Sequence, residues 1–315
     1  MNNFGFIGEY DNNYLLYKEN KNLNNLEIFT YSKEKIGVIE YSNLLEEKDS
    51  KQSVIKLLSN KLFLNRIYFI FSLFLEEKLT NLKVSLFDLE SKKNHQIFIP
   101  EENIKKIIKI IPTKDFFTVL EQNKFLFFGG FNISEENKIS KSCISFDITT
   151  YLFEKIKYPE FSLIPRFKGG CTSQNGIIYI LGGFTSLANP ENNICPHVQF
   201  CKYFEEKMHK FNFAKIEGEK PFLMIDNNIF IVDDRFVVSF SGFNYLKLWV
   251  MDTNNNIGHN YEIDKENKNE NNFFYFLINC KINKNIKLEI GKINYLNESF
   301  ELINKEIDII TIIKN

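Results

Sequence analysis

Phe125-Leu126-Phe127-Phe128-Gly129-Gly130-Phe131 and Ile178-Tyr179-Ile180-Leu181-Gly182-Gly183-Phe184 are two copies of one phrase: a short apolar run, two glycines and a phenylalanine. A third copy, Val237-Val238-Ser239-Phe240-Ser241-Gly242-Phe243, keeps the second glycine. A degenerate fourth, Ile67-Tyr68-Phe69-Ile70-Phe71-Ser72-Leu73, keeps neither. Their last residues, Leu73, Phe131, Phe184 and Phe243, step by 58, 53 and 59 residues. A fixed recurrence of that length marks a chain built from one repeated supersecondary unit.

The residues around each copy complete the unit. Downstream of the glycines comes a second run closed by Asp, as in Val84-Ser85-Leu86-Phe87-Asp88, Cys143-Ile144-Ser145-Phe146-Asp147 and Leu248-Trp249-Val250-Met251-Asp252. A polar turn and another apolar segment follow, such as Leu152-Phe153-Glu154-Lys155-Ile156. Upstream lies one more strand and a tight turn, Gln174-Asn175-Gly176 in one unit and Asp233-Asp234 in the next. Asn-Gly between apolar runs is the strongest short hairpin signal. Each unit therefore reads as four antiparallel strands, one propeller blade. Weaker units flank these, the first holding Leu26-Glu27-Ile28-Phe29-Thr30-Tyr31 and the last Phe273-Phe274-Tyr275-Phe276-Leu277-Ile278.

The reading adopted is all-β: one domain, residues 1–315, forming a six-bladed propeller of four-stranded antiparallel blades. The blades fall near 4–45, 54–100, 115–158, 169–216, 228–263 and 272–304, with a closing strand at 307–313. The weak outer units leave five, six or seven blades open, and a β-sandwich or two small β domains is the rival fold. Only Ile104 to Ile111 offers helical periodicity, for a turn or two ended by Pro112.

The third and fourth units resemble the kelch repeat family. Gly129-Gly130 is followed by Phe146-Asp147, Phe153, Pro165-Arg166, Gly169-Gly170 and then Tyr179-Ile180-Leu181-Gly182-Gly183. That order is similar to the family's glycine pair, aromatic-Asp position, fourth-strand aromatic and Pro-Arg ahead of the next blade. The family's fourth-strand Trp is Phe153 here, and the only Trp, Trp249, lies in a third strand. The resemblance implies a kelch-type propeller and, with it, a protein-binding role: a cytoskeletal or ciliary component, a subunit of a large assembly, or a substrate receptor in a ubiquitin ligase.

Composition bounds the function. Phe and Tyr number 33 and 14, residue types that favour a pleated, half-buried surface. Abundant Asn and Lys beside so much Ile and Phe reads as codon bias, so Asn runs carry no functional weight. Lys plus Arg is 39 against 40 for Asp plus Glu, and no concentrated basic face for nucleic acid is indicated. The longest apolar stretch, Leu62 to Leu75, is broken by Asn65 and Arg66 and is shorter than the roughly 20 residues a membrane helix needs. The five cysteines, odd in number and irregularly spaced, suggest free thiols in a reducing compartment. A cytoplasmic or cytoskeleton-associated protein is expected, with no signal peptide.

Chemical motifs are sparse. Cys195, His197, Cys201 and His209 form the one metal-like cluster, but their spacing matches no zinc site, and core thiols beside a loop His is the plainer reading. The Glu-x3-Asp-x3-His pattern of iron-dependent propellers is not found, nor is a P-loop, Gly-x-Ser-x-Gly or Gly-x-Gly-x-x-Gly. The expectation is no catalytic residue, no metal and no cofactor, with a metal-dependent enzyme as the minor alternative. The partner is expected to be another protein or protein complex, with neither nucleic acid nor membrane insertion. Long connections, Phe131 to Ser142, Phe184 to Pro196 and Phe74 to Asn81, point to a loop face for binding. Its candidate residues are Phe131, Asn132, Arg166, Phe184, Thr185, Phe243 and Asn244. Aromatics and Arg anchor interfaces. Packing between neighbouring blades is the plainer reading of the same phenylalanines, and a bond to a neighbouring blade's carbonyls is the alternative for Arg166.

Overall fold

The computed structural model describes residues 3–20, 23–45, 53–76, 78–131, 139–159, 163–186, 193–205, 207–219, 221, 228–241, 246–264, 273–283, 285–294 and 299–308. The fold is all-β, a six-bladed β-propeller whose blades are small, mainly antiparallel sheets. Blade 1 orders Asn3–Tyr10, Asn13–Asn20, Asn25–Thr30 and Lys35–Glu40. Blade 2 orders Val54–Phe63, Arg66–Leu75, Lys78–Asp88 and Lys93–Ile97. Blade 3 runs Lys114–Glu121, Lys124–Phe131, Cys143–Asp147 and Leu152–Ile156. Blade 4 begins Phe167–Gln174, Ile177–Phe184, Gln199–Phe204. Blade 5 holds Asn228–Val232, Phe236–Ser241, Leu246–Asp252 and Ile257–Asp264. Blade 6 has three strands among the described residues, Phe273–Ile282, Asn285–Asn294 and Ser299–Asp308.

Second strands read as unbroken apolar runs because both of their faces are covered, which removes the in-out alternation of a half-exposed strand. Every residue of Lys124–Phe131 is buried, and all but the ends of Arg66–Leu75. The glycines that close these strands answer a backbone demand. Gly129, Gly130, Gly182 and Gly183 all have φ between +61° and +80°. A Cβ on Gly129 would fall on the carbonyl oxygen of Arg166, and one on Gly183 would lie 2.6 Å from that of Phe167. The Gly130 amide donates to the Arg166 carbonyl at 2.8 Å, a main-chain bond joining blade 3 to blade 4.

Turn chemistry also repeats. Asn175 and Gly176 take φ of 50° and 74° in the two-residue hairpin that pairs Gln174 with Ile177, and Asp11-Asn12 does the same in blade 1. Each third-strand Asp holds the next turn by accepting backbone amides: Asp88 from Ser91, Asp147 from Thr149 and Thr150, Asp252 from Asn254.

The chain divides into two compact units. The first takes Met1–Lys114 and the hairpin Phe146–Phe153. Its core joins Leu26, Ile28 and Ile39 of blade 1 to Ile67, Phe69 and Phe71 of blade 2. A helix, α1 (Glu101–Ile107), starts after Pro100. Its Asn103 donates to the Phe153 carbonyl at 2.7 Å and accepts the Phe153 amide at 2.8 Å, so one side chain bonds that backbone as a neighbouring strand would. The second unit takes Asp115–Phe131, Lys138–Ser145 and Glu154–Asn315. Separate cores there join blades 3 and 4, blades 4 and 5, and blades 5 and 6. Trp249 is fully buried against Leu181 and Val198, its indole N–H donating to the Glu219 carbonyl at 3.0 Å.

Several expectations are corrected. Phe74 to Asn81 is not a long loop. Blade 2's second strand reaches Leu75 and its third starts at Lys78, the two residues being paired. Blade 4's fourth strand is split into Lys207–Met208 and Asn212–Phe213, both paired with Gln199–Phe204. The interruption places Phe211 in the core, edge-on to Phe128 and Tyr158. Glu217–Gly218 adds a parallel fifth strand to blade 5 along Ile257–Asp264, covering what would be an open sheet edge. Ile307, read as the start of a separate closing strand, lies inside Ser299–Asp308, and 309–313 fall outside the described residues.

Two outcomes test these contacts. Gly129→Ala must shift the Arg166 backbone and adopt a left-handed angle, so urea unfolding should show a loss of about 2–4 kcal/mol. Asp252 pairs through both carboxylate oxygens with Arg235. Burial alone would raise its pKa, but the Arg235 pair and the Asn254 amide hold it below the ordinary value. Its contribution is therefore present above about pH 4 and fades as pH falls through the lowered folded value. Asp252→Asn should cost about 1–2 kcal/mol at pH 7, with half-exposed Arg235 limiting the effect, and the gap to the parent should narrow at pH 3.

Candidate binding groove between blades 3 and 4

Phe131 and Phe184 end equivalent second strands, and the structure brings them together through Phe167, the first residue of blade 4. The Phe131 and Phe167 rings meet edge-on at 5.7 Å, and those of Phe167 and Phe184 lie 5.3 Å apart. Isolated bridges to Ile139 and Ile194 cap the trio. All three rings are buried, so they pack blade 3 against blade 4. Thr185 is half-buried and directs its amide and its hydroxyl to the Asn193 carbonyl, at 2.8 and 3.0 Å. Asn132, Phe243 and Asn244 lie outside the described residues.

Arg166 is fully buried. Its guanidinium donates to the carbonyls of Ile164 at 3.3 Å, Gly182 at 3.2 Å and His197 at 3.4 Å, and to the Gln199 side-chain oxygen. Every one of these acceptors is neutral. Burial lowers the guanidinium's pKa, yet arginine stays charged inside proteins. Gln199, also fully buried, accepts the Ile164 amide at 3.0 Å through the same oxygen. Arg166 and Gln199 together fix the connection into blade 4, from Leu163 onward.

That connection forms one wall of an open groove of about 760 Å³. The other wall is the end of blade 3's fourth strand. Ile156, Tyr158, Leu163, Ile164 and Pro165 supply apolar surface, while Lys141, Ser142, Lys155 and Lys157 stand at the rim. All three lysines are exposed, and no carboxylate is among the described lining residues. The nearest acid in sequence, Glu154, points to Lys124 at 3.7 Å. Tyr158 leans edge-on against Phe211 at 5.7 Å, and burial pushes its hydroxyl up to about 12, so it remains a neutral donor. A mainly apolar concavity of this volume with a few polar groups is the usual form of a ligand or side-chain pocket.

Sequence reasoning singled out Arg166 but missed Gln199, Phe167, Phe211 and the whole lysine rim. Only Pro165-Arg166 ahead of the glycines signalled this joint. Of the cysteine and histidine cluster, Cys195, Cys201 and the His197 ring take packing positions, while His209 is exposed. Cys201 lies in the blade 3–4 core with Cys143, and burial raises its thiol to about 12, a poor nucleophile. Cys195 directs its thiol to the His197 carbonyl, and the His197 ring rests against Phe213 at 5.3 Å. Among the described residues no three His, Cys, Asp or Glu side chains converge as metal ligands.

Fold and groove place the chain in the class of β-propellers with an open inter-blade cleft. It matches no model of a known protein family and no curated protein. No helix among the described residues is long and apolar enough to cross a membrane.

Arg166→Met keeps the stem and removes every guanidinium donor, taking away the bonds to the Ile164, Gly182 and His197 carbonyls and one of the two bonds to the Gln199 oxygen, which keeps the Ile164 amide. It should cost about 2–4 kcal/mol in urea unfolding. Arg166→Lys should recover less than half of that loss, because an ammonium cannot reproduce the planar fork.

Proposed function

We propose that this protein is a non-catalytic protein-interaction propeller of divergent kelch type, a scaffold or subunit of a larger cytoplasmic or cytoskeletal assembly. The observation that carries this reading is the groove itself. It is a lysine-rimmed apolar cleft whose one wall is immobilised by a buried arginine. A rigid scaffold with a shaped surface cleft suits binding, since little ordering entropy is lost on association. The kelch assignment draws on the left-handed glycine pairs, the Asp-held turns and the Pro-Arg joint, each a backbone feature of the repeat. Against a catalytic role stand thiols raised by burial and a His197 ring spent on packing.

Photo-crosslinking with the full-length chain tests the reading. A benzophenone amino acid replacing Ser142, which also lines the groove, should crosslink one protein in the organism's own cells at near-equal stoichiometry, and the same group at exposed Glu262 should not. Equal labelling from both positions would remove the groove from consideration. Stoichiometric copper, iron or zinc in the purified protein, measured by elemental analysis, would overturn the non-catalytic assignment.

A further inference from the structure

We infer that the groove between blades 3 and 4 receives an extended acidic segment of a partner protein, with two carboxylates two residues apart and an apolar side chain two residues further along on the same face. This rests on the interaction reading above and adds the chemistry of the partner.

Three observations carry it. The first is charge. Lys141, Lys155 and Lys157 rim the cleft with no described carboxylate among its lining residues, in a chain whose overall net charge is −1. Neither Lys155 nor Lys157 has an ion pair among the described residues. A cleft lined by one sign of charge beside low-dielectric walls concentrates the opposite sign.

The second is spacing. Lys155 and Lys157 are two residues apart where blade 3's fourth strand ends, and buried Ile156 lies between them. Residues two apart on an extended chain are about 7 Å from one another. An extended partner with acids at alternate positions matches that interval. The third is the apolar lining beside the cations. Ile156, Leu163, Ile164 and Pro165 offer aliphatic contact, with neutral Tyr158 as a hydrogen-bond donor. A long aliphatic or aromatic side chain two residues beyond the carboxylates shares their face and meets this lining.

The test selects displayed random 12-residue peptides on the immobilised full chain, then measures labelled synthetic copies by fluorescence anisotropy. Enriched peptides should carry Asp or Glu two residues apart, with Leu, Ile, Phe or Trp two residues further along. Raising salt from about 0.1 M to 1 M, which cuts the screening length from about 10 Å to about 3 Å, should weaken binding at least tenfold. The double variant Lys155→Glu/Lys157→Glu should also weaken it at least tenfold, with unchanged circular dichroism and thermal midpoint, because both side chains are exposed. Peptides with their acids changed to Lys should bind that variant better than the parent.

Failure to enrich any peptide, enrichment of neutral or basic ones, or undiminished binding to the double variant would each overturn the inference. So would phosphatidylserine-containing vesicles binding in a lysine-dependent way while peptides do not. If the partner crosslinked in cells is captured equally well by the double variant, this inference fails and the interaction reading survives. If no partner is captured at all, both fall.

Discussion

The joint between blades 3 and 4 depends on a close approach of two backbones. The Gly130 amide reaches the Arg166 carbonyl, and no side chain can stand at Gly129 without displacing that oxygen. The rest of the joint is arranged around this contact. Phe131 and Phe184, one residue beyond their glycines, close over Phe167. Arg166 then turns its side chain inward, where the carbonyls of Gly182 and His197 receive it. A main-chain bond, an aromatic trio and a buried cation thus share a few consecutive residues.

That concentration couples stability to the proposed site. Pro165 and Ile164 face the groove, while the next residue, Arg166, is held from the opposite side. The wall's position is set by interior hydrogen bonds and not by its own exposed side chains. Burying a guanidinium against neutral acceptors alone carries a desolvation cost that a Met would avoid. What the arginine gives in return is four directed bonds to three separate stretches of chain, which apolar packing could not supply.

Much of the fold was legible because its strongest signals are backbone signals. Glycine pairs, Asn175-Gly176 and the third-strand aspartates mark places where the main chain needs a particular angle or partner, and such needs appear in the residue itself. The groove was not legible for the opposite reason. Lys155 and Lys157 look like any solvated charges on a strand, and Leu163 and Ile164 like any inter-blade filler. Their meeting is created by the path of the chain from 163 to 166. Phe211 was hidden in a similar way: a split strand changes which residues face inward, and polar neighbours such as His209 and Lys210 mask it. Phe131, Phe184 and Arg166 stand out in the sequence as candidate binding residues, and burial gives them packing and hydrogen-bonding work inside the protein.

The doubly covered second strands have a further bearing on how such a chain can change over time. A layer enclosed on both sides asks its residues for oily bulk and little else, so Phe, Leu, Ile and Val can replace one another with modest local repacking. Blade 2 does without glycines and still forms such a layer. The text of these strands is then free to be rewritten, while the few positions ruled by main-chain geometry stay fixed. Kinship among propellers built this way would survive as a sparse punctuation of Gly, Asp and Arg, with most of the words between them replaced.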